Sequence, residues 1–190
     1  AWLRWRGERG GATLGRQRML LDNQRFIGNV GWRQNEQTYD AMVADVSPRE
    51  GLVLRYAWLD KVHRVFGDEA IDPLARERDL DAHLANLAWT YGYWLEDQDV
   101  ASASTRTLGL RYTGQHALNA ATLGWTLEYA KQRDHAGNPQ RVNADYLLLE
   151  PSLSAKGLTW KLGFERLGGD GSTAFQTPLA TLHAFNGWAD

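Results

Sequence analysis

Short runs in which apolar and polar side chains alternate are the feature that most constrains the fold of this chain. In residues 157–171, Leu158, Trp160, Leu162 and Phe164 alternate with polar or small residues before a glycine-rich turn. Successive side chains of a β-strand point to opposite faces, so this run predicts a strand with one apolar and one polar face. Similar runs recur along the 190 residues, and they predict an all-β, antiparallel chain of nine or ten strands.

The connections between these runs differ in length in a regular way. "SPREG" and "SAKG" are short, whereas the connections through residues 67–81 and 133–140 are longer. Short turns at one end and long loops at the other are typical of transmembrane β-barrels. A soluble β-sandwich would also give many short strands with turn signals, so both folds stay open at this point. Residues 83–98 fit either one long strand or two strands joined by a tight turn near Thr90.

The residue types on the apolar face help to separate these two folds. A sandwich core favours Val, Ile and Leu, yet this chain has only two Ile (Ile27 and Ile71) beside nine Trp and seven Tyr. Trp and Tyr gather where a membrane meets water, because one edge of each ring can stay hydrated. We therefore predict an up-and-down transmembrane β-barrel whose apolar face contacts lipid. The residues predicted to face lipid are Trp58, Leu110, Trp125, Leu127, Trp160, Leu162 and Phe164.

Composition and motif spacing exclude several other classes of protein. The chain has no cysteine, so it can form neither a disulfide framework nor a cysteine-based zinc site. A net charge of −2 gives no bulk attraction to nucleic acid, so we predict no nucleic-acid partner. The five His residues show no HExxH spacing and no G-x-S-x-G motif is present. We therefore predict that the chain is not an enzyme and that it has no metal site and no cofactor.

One segment of the chain resembles a known family. Residues 14–41 carry, in order, Gly15-Arg16-Gln17-Arg18, Asp22, Arg25-Phe26, Gly28-Asn29, Gly31-Trp32-Arg33-Gln34-Asn35 and Tyr39-Asp40. This order resembles the alginate-export-like family of bacterial outer-membrane porins, and residues 168–190 look like a second segment of that family. The resemblance implies a large barrel in the bacterial outer membrane, in contact with membrane lipid and lipopolysaccharide. It also implies that residues 1–190 are a single barrel domain that is incomplete at both ends.

Basic residues on the polar faces are the candidate functional residues. Rings of Arg or Lys in a pore favour anions, and an arginine facing mid-membrane lipid costs roughly 2–4 kcal/mol. We therefore expect a channel for the passive passage of small or polymeric anionic solutes. The alternative is a soluble β-sheet carbohydrate-binding module. The residues predicted to line the pore are Arg16, Arg18, Arg25, Arg33, Arg55, Arg111 and Lys161.

Two points about these residues stay open at the level of sequence. Arg16 and Arg18 could set the potential of the lumen, or they could only pair with acidic residues and hold the shape of the barrel. The loop that carries Arg25 and Arg33 could fold into the pore or cap it from outside. We expect the inward position, because Gly28 and Gly31 would permit tight backbone packing.

Overall fold

The computed structural model describes residues 1–186, which form one antiparallel sheet of eleven strands in sequential order. The strands are β1 (Trp2–Gly7), β2 (Gly10–Gln17), β3 (Thr38–Arg49), β4 (Leu52–His63), β5 (Glu77–Leu87), β6 (Thr90–Asp97), β7 (Thr105–Leu118), β8 (Ala121–Asp134), β9 (Asn143–Ala155), β10 (Leu158–Lys161) and β11 (Phe164–Leu167). Two short α-helices, α1 (Pro73–Arg76) and α2 (His183–Asn186), and a 3₁₀ turn (Ala101–Ala103) complete the secondary structure. The last four residues of the second family-like segment, 187–190, lie outside the described residues.

The last two strands behave as one. Both β10 and β11 pair with β9, and the pairing continues from one to the other without a shift in register. Leu162, between them, still donates its backbone N–H to the carbonyl of Pro151 at 3.1 Å. The sheet therefore has ten strand positions, in agreement with the nine or ten predicted from alternation.

The two ends of the sheet differ in their connections. The turns that follow β1, β3, β5, β7 and β9 each contain two residues, and they all lie at one end, the short-turn end. The turn after β9 is built from Lys156 and Gly157, both with positive φ (51° and 77°), as a tight antiparallel hairpin turn requires. The longer connections after β2, β4, β6 and β8 all lie at the opposite, long-loop end. This asymmetry confirms the prediction from loop lengths.

The sheet has two different faces. Its inner face carries buried side chains such as Tyr39, Leu59, Leu84 and Tyr146. Its outer face carries large apolar side chains that stay exposed, such as Leu127 at 41%. The core is thus confined to one side of the sheet, and no second sheet packs on the other side within residues 1–186. This arrangement differs from a β-sandwich, in which the apolar faces of two sheets pack together.

Two segments pack against the inner face. The first, residues 18–37, joins β2 to β3 and is called the inner loop; the second, residues 174–182, follows β11 and is called the second inner segment. Ile27 and Leu179 form a parallel bridge that joins them. The ring of Phe26 lies 5.3 Å from that of Tyr146 and 5.6 Å from that of Phe175. The inner loop therefore takes the inward position that we expected, not the capping position.

The region of β5 and β6 corrects one sequence expectation. The run 83–98 consists of two strands with a turn at residues 88–89, and β5 begins at Glu77, inside a stretch that reads as a polar loop. Its outward polar residues are satisfied by cross-strand partners, since Lys61 pairs with Glu77 at 2.9 Å and with Asp79 at 2.8 Å. On β6 the apolar parity, including Tyr91, faces inward because the inner loop covers it.

Among residues 1–186, no helix has the length and apolar character needed to cross a membrane.

Candidate functional site

A groove of about 520 Å³ runs along the inner side of β1 to β4, beside the start of the inner loop. Alternation places Arg4 and Arg6 of β1 on this side, and the Nε of Arg4 donates to the hydroxyl of buried Thr13 at 3.1 Å. Arg55 reaches the groove from β4, and Arg18 reaches it from the inner loop. We call these four residues the groove arginines. Asp45 is the acidic residue that lines the groove together with them.

Only part of this positive charge is compensated. Arg55 Nε lies 2.6 Å from Asp45 Oδ1, and Arg18 Nε lies 3.0 Å from Glu36 Oε2. Arg4 stacks on the ring of Trp2 at 4.9 Å, but within residues 1–186 neither Arg4 nor Arg6 forms an ion pair. An open groove with uncompensated guanidinium groups concentrates anions, because low-dielectric walls focus the field into the cleft.

Between β5 and β11, the half of the interior nearer the long-loop end is filled, whereas inner-face residues nearer the short-turn end, such as Lys161, stay exposed. Arg25 of the inner loop is almost fully buried, with its side chain 3% exposed, and its Nε lies 2.9 Å from Glu165 Oε1. Tyr146 donates its hydroxyl to the same carboxylate at 2.8 Å. Arg25 also stacks on Phe185 at 4.5 Å. The cation thus holds the inner loop to the wall and is not open to a solute.

A second filled region lies around Glu128 on β8. Its carboxylate pairs with Arg111 on β7 and accepts a hydrogen bond of 2.8 Å from the Tyr91 hydroxyl. The ring of Tyr91 passes directly over Gly109, where a Cβ would collide with it. Arg111 therefore lies on the inner face of the sheet, and the buried carboxylate of Glu128 neutralises its charge.

Positive charge is also concentrated inside the long-loop end. Arg78 Nη1 pairs with Asp97 at 2.9 Å, and Arg64 lies nearby. Burial, together with repulsion from Arg78, lowers the pKa of the Arg64 guanidinium. Neither Arg64 nor Arg78 is among the residues predicted to line the pore.

The structure distributes the predicted pore-lining residues over five environments. Arg18 and Arg55 line the groove, and Lys161 lies on the inner face with its Nζ 2.9 Å from Glu150. Arg25 and Arg111 lie inside the sheet in buried pairs. Arg16 and Arg33 lie elsewhere.

The placement of Arg16 on the inner face is wrong. Arg16 pairs in register with Asp40, which lies between the inward-facing Tyr39 and Ala41 and therefore points outward. The two side chains form an ion pair at 2.9 Å on the outer face. Arg18 does not share this face, because β2 ends at Gln17 and alternation no longer applies to Arg18.

Arg33 lies beside two aromatic rings, and its assignment to the pore lining stays a prediction. Its guanidinium lies over Trp32 at 4.5 Å and near the ring of Phe66 at 5.7 Å, at the long-loop end. The chain turns just before Arg33, since Val30 has a positive φ of 53° and its carbonyl accepts the N–H of Arg33 at 3.1 Å.

Two groove arginines, Arg4 and Arg6, were missed in the sequence. The signal was present, because in "WLRWRG" the two arginines alternate with Leu3 and Trp5, which are 74% and 65% exposed on the opposite face. The run is short, and it lacks the clean apolar parity of the later strands.

The residues predicted to face lipid share the outer face of the sheet. They are Trp58, Leu110, Trp125, Leu127, Trp160, Leu162 and Phe164. Trp58 differs from the others, because its Nε1 donates to Asp81 at 2.9 Å. Beside it, Tyr56 and His83 share a hydrogen bond of 2.6 Å. The outer face of β5 is thus more polar than that of β8, where exposed Leu and aromatic residues prevail.

Nothing in residues 1–186 resembles a metal centre, since no group of three or more His, Asp or Glu side chains is placed to hold an ion.

The sequential antiparallel sheet, with short turns at one end and inward-folded loops at the other, is the wall of a porin-type up-and-down β-barrel. Solved structures with the same fold include OpdK of Pseudomonas aeruginosa with vanillate, at 17% identity and a TM-score of 0.64, covering 85% of this chain and 44% of that one. OccK2 (OpdF) of Pseudomonas aeruginosa in complex with glucuronate is 15% identical with a TM-score of 0.65, over 88% of this chain and 47% of that one. A BenF-like porin from Pseudomonas fluorescens Pf-5 is 14% identical with a TM-score of 0.64, over 87% and 44%.

The chain spans less than half the length of these porins. No protein-family model matches the sequence, and no curated protein matches it. The likeness establishes the fold, a part of a larger barrel, and the specific resemblance to the alginate-export-like family is not established by it.

Proposed function

We propose that this chain forms part of an outer-membrane channel for the passive passage of small or polymeric anionic solutes. The observation that carries the proposal is the contrast between the two faces of the same strands. Exposed Leu and aromatic side chains cover the outer face, and an open groove with four arginines lies on the inner face. Hydrocarbon outside and water inside is the environment in which this contrast is stable.

The outer face supports a location in the bacterial outer membrane. Trp160, Leu162 and Phe164 are 55%, 75% and 55% exposed on adjacent outward positions. A soluble carbohydrate-binding module would leave this continuous apolar surface in water, which favours aggregation. Membrane lipid, with lipopolysaccharide in the outer leaflet, would cover it. Residues 1–190 would then be one contiguous part of a single larger barrel domain.

The groove supports the choice of anions and confines their path. Because the inner loop and the second inner segment fill the side of β5 to β11 in the half nearer the long-loop end, the open route there lies along β1 to β4. The residues that would set anion selectivity there are Arg4, Arg6, Arg18 and Arg55. Arg25 and Arg111 would act only by holding the filled side in place. The function is passage, and it requires neither a catalytic group nor a cofactor.

The family resemblance bears on the class of solute. An alginate-like polymer is a chain of sugar carboxylates, and the groove arginines could contact such a chain one carboxylate at a time. The solved porins of the same fold have been crystallised with vanillate and glucuronate, each of which bears one carboxylate on a ring. We propose single rings that bear a carboxylate as the solute class. A polymer of such rings is the alternative.

Conductance of the complete protein in planar lipid bilayers tests the proposal. We expect stepwise single-channel currents, with a reversal potential in a salt gradient that shows preference for anions. Replacing Arg4 and Arg6 together by Gln should shift the reversal potential toward cations, because their charge is uncompensated. Arg16→Gln, on the outer face, serves as the matched control and should leave the reversal potential unchanged. Absence of current steps, or equal effects of both changes, would reject the channel assignment.

A further inference from the structure

Loops at the long-loop end bring two aromatic rings and one arginine together outside the groove. Trp32 and Arg33 come from the inner loop, and Phe66 comes from the connection between β4 and β5. The Arg33 guanidinium carbon lies 4.5 Å from the centre of the Trp32 ring and 5.7 Å from that of Phe66. We call these three residues the mouth cluster.

The rings of the mouth cluster are accessible. Trp32 is 40% exposed and Phe66 is 52% exposed. Large aromatic side chains that stay exposed and grouped mark interaction surfaces more often than isolated ones do. The apolar face of such a ring is a suitable surface for the face of another ring, whether aromatic or sugar.

The charge of Arg33 is held without a carboxylate partner among residues 1–186. The nearest acidic residue along its loop, Glu36, is engaged by Arg18 at 3.0 Å and by the amide of Asn29 at 3.1 Å. The guanidinium of Arg33 is therefore held by ring stacking. A guanidinium that stacks through its flat face keeps its in-plane N–H donors available, and these match the two oxygens of a carboxylate.

We propose that the mouth cluster is a capture site for a carboxylate carried on a ring, such as a sugar acid, at the long-loop end of the channel. The carboxylate would accept hydrogen bonds from Arg33, and the ring of the solute would lie on Phe66. The capture site rests on the proposed function for its purpose. Capture at the mouth would raise the local concentration of solute near the groove arginines. The mouth cluster and the groove consist of different residues, so an experiment can reject the capture site without rejecting the channel.

Saturation-transfer NMR on the full chain in detergent micelles tests this site, with glucuronate as the probe. Glucose carries the ring without the charge, and acetate carries the charge without a ring. We expect glucuronate to bind more tightly than either compound by at least about tenfold, since one charge-assisted pair and one stacked ring are each lost. Equal binding of acetate and glucuronate would overturn the stacking role, and equal binding of glucose and glucuronate would overturn the role of Arg33.

Three variants locate the site. Arg33→Gln and Phe66→Ala should each weaken glucuronate binding by about tenfold. Arg49→Gln, an exposed arginine at the short-turn end, is the matched control and should leave it unchanged. If Arg33→Gln binds glucuronate as the unchanged chain does, the groove alone accounts for binding and the capture site is rejected. Anion-selective current that persists in Arg33→Gln would still support the channel, whereas glucuronate binding at Arg33 without any current would reject the channel and keep the site.

Discussion

At the scale of single residues, pairing decides what an arginine in this chain does. Arg25 is buried against Glu165 and stabilises the position of the inner loop. Lys161 forms a pair of similar length with Glu150, but its side chain is 60% exposed. Water screens the exposed pair, so the two pairs should contribute differently to stability. In the sequence, Arg25 and Lys161 are both simply basic residues predicted to line the pore.

Glu165→Gln should lower the free energy of unfolding by roughly 2–4 kcal/mol, because it leaves the Arg25 charge buried without a counter-ion. The partial exposure of Glu165, at 25%, keeps the cost below that of a fully buried pair. Glu150→Gln is the matched control and should cost less than about 1 kcal/mol. Urea unfolding in micelles, followed by tryptophan fluorescence, measures both values. Similar losses in the two variants would show that Arg25 has access to water.

At the scale of elements, the inner loop and the second inner segment are docked to each other. Gln37 donates its side-chain N–H to the carbonyls of Gly28 and Leu179, at 3.1 and 3.2 Å, and the Tyr39 hydroxyl donates to Gly28 at 2.9 Å. Thr181 donates its backbone N–H to Gln24 at 3.1 Å. These bonds lie where water is excluded, so leaving any of these groups unpaired would be costly. The two segments should therefore stay in place during passage of solute.

A cysteine pair tests this docking directly. Ile27→Cys combined with Leu179→Cys should form a disulfide on mild oxidation, because bridged residues lie within the Cα separation that a disulfide spans. The chain has no cysteine of its own, so the product is unambiguous. We expect conductance to be the same before and after oxidation. Ile27→Cys with Leu149→Cys, which places the second thiol on the outer face, should not cross-link. A current that falls on oxidation would show that the segments move apart when the channel conducts.

At the scale of the whole molecule, the two faces of the sheet are predicted to meet different solvents. Leu127 lies on the outer face of β8, and its neighbour Thr126 lies on the inner face opposite Glu150. Because Leu127 and Thr126 are neighbours in β8, they lie at nearly the same depth in the membrane but on opposite faces of the sheet.

Leu127→Arg should reduce the yield of folded protein in lipid vesicles, because arginine facing mid-membrane lipid costs roughly 2–4 kcal/mol. Thr126→Arg should fold normally, since its side chain would lie in water beside an acidic residue. Heat-modified migration on gels separates folded from unfolded protein in both cases. Equal folding of the two variants in lipid would contradict the membrane placement of the outer face.

Alternation in β7 to β11 predicted the strands, their faces and the short turns, because a strand with one hydrated face shows its orientation in its residues. It failed at β5, where cross-strand ion pairs allow charged residues to occupy outward positions in succession. It failed again at Arg16, since both signs of charge can lie on an outer face when they pair.

By itself, the sequence determined the class of fold, because the period of two in side-chain polarity can be satisfied only by strands, and the abundance of Trp and Tyr favoured a lipid-facing surface. Only the tertiary structure decided which arginines face an open groove, which are neutralised and which lie at the mouth. That distinction depends on contacts between residues far apart in the chain, such as Arg25 with Glu165 and Arg33 with Phe66. No local pattern encodes such contacts, since they arise from how the loops fold back over the finished sheet.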